Sequence, residues 1–351
     1  ATGGSTNTFA TGNNQIVELG ANTIKALTSD QVRALSTTQI TALTTDQINA
    51  LEDVDLQALD KRQFGTLSDT STTGQITNIS ANQAANLSND QMEWLTSGQG
   101  AKLSDEAITR LSGAQISHMS INALNALDQS AMRAIEDDDF GLLTTRQISN
   151  IDTITKVSES QIAHMTEDQT RALTKSQVAA MTTDQINAMT RTNLQALTTQ
   201  QIREITGANL SLISPTQISK FTTTQVAALS AGQTTSFDQE AVAALTQEQV
   251  AKLSISALNA MSTQYLEEGD FAALTATQIS RLDSTRINSL TTGQIFNMTD
   301  GQTRALTKTQ LSNFSQPQLN AINDANLILL STSQITGLSA DQVGELNVSQ
   351  L

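Results

Sequence analysis

The stretch Gln31–Leu59 reads QVRALSTTQITALTTDQINALEDVDLQAL, and a large apolar residue closes each eight-residue step in it, at Leu35, Leu43, Leu51 and Leu59. Outward from there the spacing runs back through Leu27 to Leu19 and forward to Leu67. It continues from Ile79 to Ile151, from Met165 to Met261 and from Leu274 to Leu346. All 40 of these anchor positions hold Leu, Ile, Met or Phe. A second large apolar residue stands three places before the anchor in 35 of 40 units; Ala84, Gly100, Thr170, Thr234 and Thr303 are the exceptions. Gln stands four places before it in 27 units, and the residue just after it is Ser, Thr, Asp or Asn in 37. The octad is [ST]-x-x-Q-[IV]-x-A-L.

Each position has a reason if the octad is one very short helix. Ser or Thr followed three residues later by Gln is a capping box, in which the hydroxyl accepts an orphan helix N–H and the Gln side chain reaches back to the cap. The anchor before the cap and the Ile or Val inside the helix form a hydrophobic staple, so the end of one unit clamps the start of the next. Both prolines agree, because Pro215 and Pro317 fall at the first and second helical positions, where no N–H is needed. A strand would send the two apolar residues to opposite faces. One continuous helix would drift its apolar stripe by about 80° per octad. The expected fold is therefore all-α, a solenoid of helices five or six residues long that start after residues such as Thr28, Ser36, Thr44, Thr182 and Ser214. No octad has a face to bury against itself, so stability comes from stacked neighbours.

A longer period lies above the octad. The stretch from Gln31 returns as QTRALTKSQVAAMTTDQINAMTRTNLQAL from Gln169 and as QTRALTKTQLSNF from Gln302. INALNALDQSAMRAIEDDDF from Ile121 likewise returns as ISALNAMSTQYLEEGDF from Ile255. With the shortened units 152–157 and 262–266 counted, each return of the Gln31 stretch takes 17 units, which points to tandem duplication. The expected organisation is an irregular N-terminal arm over 1–14 and a continuous solenoid over 15–351, about two and a half blocks long. Because the chain opens without Met and stops one short segment past Leu346, a longer parent protein is expected.

Composition narrows the chemistry. The chain of 351 residues has no Cys, two His and a net charge of −15. That excludes thiolate sites and His-rich metal centres, and it opposes binding to a phosphate backbone, so no nucleic-acid partner is expected. No segment reaches the roughly 18 apolar residues of a membrane span. His118 and His164 each sit just before an anchor Met, as half-exposed surface residues would. The hydroxyls fall at cap and first-turn positions, no Ser-His-Asp grouping stands out, and no enzyme is expected.

One departure bears on ligand binding. Glu52, Asp53 and Asp55, then Glu136, Asp137, Asp138 and Asp139, then Glu267, Glu268 and Asp270 gather carboxylates at helix starts. Two readings stay open for them. Such oxygens are calcium ligands, so Asp53, Asp55, Asp137, Asp138, Asp139, Glu268 and Asp270 are candidates for a weak calcium site. Acids in a first helical turn also simply complement the helix dipole.

At ALTTDQINAL, residues 42–51, the chain resembles repeats of large secreted or surface-displayed bacterial proteins of the adhesin or surface-layer kind. That resemblance implies an extracellular or cell-surface location and a scaffolding or adhesive role, and it carries over no catalytic residue. The function expected is a structural repeat protein: a subunit of a self-assembling filament, sheath or surface layer, or an adhesin stalk. Its partners would be copies of itself and the cell surface or other surface proteins. The alternative is a solenoid binding module presenting a groove to a protein or glycan. Trp94 and Tyr265, alone and far apart, do not make the aromatic cluster such a face usually carries.

Overall fold

A computed structural model describes residues 15–67, 74–76 and 79–344. Among these residues all regular structure is helical, in 38 α-helices of four to six residues and two three-residue 3-10 turns at Ile154–Lys156 and Thr263–Tyr265. The expected caps are in place. Thr28, Ser36, Thr44, Thr182 and Ser214 each stand in extended conformation before a helix and accept its third N–H. At Thr44 the reciprocal bond is complete, with its N–H donating to Gln47 Oε1 at 2.9 Å. The expected arm over 1–14, the anchor Leu346 and most of the stretched unit 68–79 lie outside the described residues.

The chain divides into two compact units, Ala1–Leu173 and Thr174–Leu351. Each is a coil of octads with the two apolar rows inside. Ile48 is 0% exposed and Leu51 3%, while Asn49 between them is exposed. The largest residues in the inner row, Phe64, Phe140 and Phe271, are completely buried. In each unit a helix packs on the one three octads ahead, as Ala21–Lys25 does on Thr45–Ala50 and Lys175–Ala180 on Thr199–Glu204.

Glutamine ties one turn to the next. Gln225 donates its amide nitrogen Nε2 to the carbonyls of Leu194 and Leu197, both at 2.8 Å, 31 and 28 residues back. Gln63, Gln115, Gln147, Gln310 and Gln318 bond at the same separations. A turn of 28 residues is three and a half octads. The clamp counts units rather than residues. Across the stretched unit Gln83 reaches back 35 and 32 residues, and across the shortened ones Gln161 reaches 29 and 26 and Gln278 reaches 28 and 25.

This geometry explains why the box uses Gln. An amide offers an acceptor to the cap and two donors to the turn before, whereas a carboxylate offers no donor. Some replacements keep a donor. Asn209 reaches Met181 O and Asn326 reaches Met298 O, both at 2.7 Å, and Arg286 Nη1 reaches Met261 O at 2.6 Å. In the first shortened unit Lys156 Nζ takes Leu127 O at 2.6 Å.

The five exceptions in the inner apolar row follow a rule of their own. At 23 residues beyond Ala84, Gly100, Thr170, Thr234 and Thr303 stand Ala107, Ala123, Asn193, Ala257 and Asn326, each in the place of Gln. Two of these pairs bring helices close together: Ser97–Gly100 packs on Ile121–Ala126, and Ala231–Thr234 on Ile255–Ala260. A Cβ on Gly100 would stand 2.6 Å from Ala123 Cα, and Thr234 Oγ1 donates to Ala257 O at 3.0 Å. Small residues on both sides let the backbones approach.

Candidate functional site

The three acidic octads are the places where the local rule changes. Glu52, Glu136 and Glu267 occupy the cap position without a side-chain cap bond. Asp55, Asp139 and Asp270 stand where Gln would be and have no hydrogen to give to the turn before. Two of them accept instead. Asp55, 2% exposed, receives Ser29 Oγ at 2.8 Å, and Asp139 receives the N–H of Gly113. Ser29 and Gly113 are both first residues of a helix in the preceding turn, so each carboxylate lies at the positive end of that helix. Burial, then the charge of Glu136, pushes Asp139 above the usual carboxylate range, although the Gly113 N–H pulls the other way and Asp138 adds to the rise. Asp270 is raised by burial and then by Glu267.

The first helical residue of each acidic octad points the other way, toward the turn ahead. Asp53 Oδ2 accepts from Asn86 Nδ2 at 2.8 Å and Glu268 Oε2 from Asn297 Nδ2 at 2.7 Å. Asp137 accepts from Ser160 Oγ and has His164 Nδ1 at 3.9 Å. Asn86, His164 and Asn297 occupy one register, the residue before an anchor, three units on. Asp138 is left exposed to solvent.

The acids of an octad therefore reach to two different turns rather than converging. Of the calcium candidates, Asp55 and Asp139 face backward, and Asp53, Asp137 and Glu268 face forward. Among the described residues no group of three or more Asp, Glu or His side chains is placed to hold a metal ion. Each histidine turns Nδ1 onto the carbonyl four residues back, His118 to Ala114 at 2.8 Å and His164 to Ser160 at 2.9 Å, which leaves His118 half-buried and His164 exposed.

Open notches form where the chain turns between helices. One is lined by Lys25 and residues 49–54, and a second by Glu93, His118, Asn122 and Arg146 among others. No helix of the described residues is long and apolar enough to cross a membrane.

Sequence reasoning reached the Gln side chain only as a cap. Its amide donors are signalled only by the preference for Gln at a position where a capping box admits Glu equally well. The 23-residue pairing was also visible in principle, as two sets of exceptions at a constant distance. A family model described as the ALTTAQ repeat matches residues 16–53. No curated protein matches the chain.

Proposed function

We propose that this chain is a structural repeat protein of the cell exterior, built into a filament, sheath or surface layer, or acting as the stalk of an adhesin. The observation that carries the reading is the glutamine clamp. Each turn accepts the next through main-chain carbonyls, which every octad possesses, so a coil of these units extends without a special end or a specialised site. The polar side chains of the octad serve this stacking, since Gln91 and Gln161 are 0% exposed and the cap hydroxyls accept helix N–H groups. The abundance of Thr, Ser, Gln and Asn together with the lack of Cys suits an extracellular location. Copies of the same chain are the first partner proposed.

A binding module is the second reading. It is favoured by apolar side chains held outside the coil, Leu212 at 68% exposure and Phe296 at 56%. Sedimentation of the purified chain across concentration, salt and calcium, with electron microscopy of the same samples, separates the two. Ordered arrays or concentration-dependent growth support the assembly reading. A monomer under every condition removes the filament, sheath and layer and leaves a stalk or a binding module.

A further inference from the structure

We propose that each compact unit contains one yielding joint between successive turns, where the glutamine clamp is almost absent, and that these two joints open before any other turn parts. In the first unit the clamp position is filled by donors at Gln83, Gln91 and Gln99, and again at Gln147, Gln161 and Gln169. Between them the five successive positions hold Ala107, Gln115, Ala123, Ala131 and Asp139. Only Gln115 reaches back, to Ala84 O and Leu87 O. In the second unit Gln217, Gln225 and Gln233 donate, as do Gln278, Arg286 and Gln294. Between those runs stand Ala241, Gln249, Ala257, the 3-10 turn Thr263–Tyr265 and Asp270, and only Gln249 reaches back, to Ile218 O and Phe221 O. The pattern Ala-Gln-Ala followed by an Asp thus occurs once in each unit.

Other contacts at these joints replace the clamp only in part. Ser120 gives its N–H to Met92 O at 3.1 Å and its Oγ to Leu95 O at 2.6 Å. The corresponding Ser254 Oγ pairs within its own helix, with Ser256 at 3.1 Å. The close approaches of Gly100 to Ala123 and Thr234 to Ala257 supply van der Waals contact at one point of each joint. In a coil whose turns hold only their neighbours, local opening follows the weakest interface. Tension along the coil, carried equally by every turn, would part these joints first and lengthen the chain there before the rest yields.

Ala131 and Ala241 are the places to restore a clamp, because Ile108 and Ile218 stand 23 residues before them, the pattern that accompanies Gln elsewhere in the chain. The caps are ready. Asp128 accepts the Ala131 N–H at 2.9 Å and Asp238 accepts the Ala241 N–H at 2.8 Å, as Asp60 does in its complete box with Gln63. A Gln at 131 would reach Leu103 O, 28 residues back.

The test is hydrogen exchange of the whole chain read by mass spectrometry. Segments 79–143 and 213–274 are expected to exchange about tenfold faster than 278–322, which sits in fully clamped turns. Ala131→Gln slows exchange in 79–143 and leaves 213–274 as it was. Ala123→Gln, forced against Gly100, speeds it. Uniform exchange along the chain overturns the proposal, and so does an Ala131→Gln variant with native circular dichroism and unchanged exchange. Neither result bears on whether the protein assembles, so this inference and the functional reading fail separately.

Discussion

Gly100 and Ala123 are in backbone contact: a Cβ added to Gly100 would stand 2.6 Å from both the Cα and the carbonyl oxygen of Ala123. Gly100 occupies an inner-row position that Ile, Leu, Val or Phe fills in most octads. Restoring the common residue there is therefore expected to harm the fold. Gly100→Ile should cost about 1–3 kcal/mol or more through overpacking, although it raises both helix propensity and apolar content. Urea melts that show the variant equal to or more stable than the parent would contradict the contact.

Gln91 is completely buried and donates Nε2 to Leu56 O at 2.8 Å while its Oε1 accepts the cap N–H of Ser88 at 3.1 Å. Gln91→Glu keeps the second bond and turns the first into a carboxylate against a carbonyl. The expected loss is roughly 2–4 kcal/mol near neutral pH. A buried Glu has its pKa raised, so the loss should shrink as pH falls and the side chain takes up a proton. If capping alone explained Gln, the variant would match the parent, because Glu serves a capping box as well.

The facing of the octad is tested by two adjacent residues. Ile48→Ala removes a side chain that is 0% exposed and should cost about 2–5 kcal/mol. Asn49→Ala changes an exposed position and should stay within about 0.5 kcal/mol of the parent. Equal shifts of the denaturation midpoint would reject the arrangement.

Asp139 is raised above its ordinary pKa of 3.8, chiefly by burial. A carboxyl whose pKa is higher in the folded state binds its proton more tightly there. Its contribution to stability is fully present below the unfolded value and is lost as pH rises through the folded one. Asp139→Asn, which keeps an oxygen for the Gly113 N–H, should therefore raise the melting temperature near neutral pH. The gain should fade on acidification through the carboxylate range. Melting curves of parent and variant over that interval check it, and a variant less stable at neutral pH would reverse the sign.

Much of the architecture is legible in the amino-acid sequence, because it rests on interactions that span fewer than eight residues. The cap at Thr44, the box it makes with Gln47 and the staple between Leu43 and Ile48 all lie within one octad and the residue that precedes it. The eight-residue period exposes them by repetition. The helices' all-α character and their starting points follow from the same local chemistry.

What the tertiary structure decided is everything that depends on how many octads make a turn. A repeat of eight residues is compatible with many coils, and nothing within one octad says that Leu197 will lie beside Gln225 rather than beside another residue. Once the turn closes at 28 residues, the amide of Gln finds two carbonyls, Ala123 meets Gly100, and Asp53 meets Asn86. The acidic octads show the consequence most plainly. By sequence Asp53 and Asp55 are two acids in one helical turn, fit to share a cation. In the coil they lie between three turns, and each is drawn to the donor that the turn on its own side presents. Local sequence sets which groups are offered; the pitch of the coil sets which of them meet.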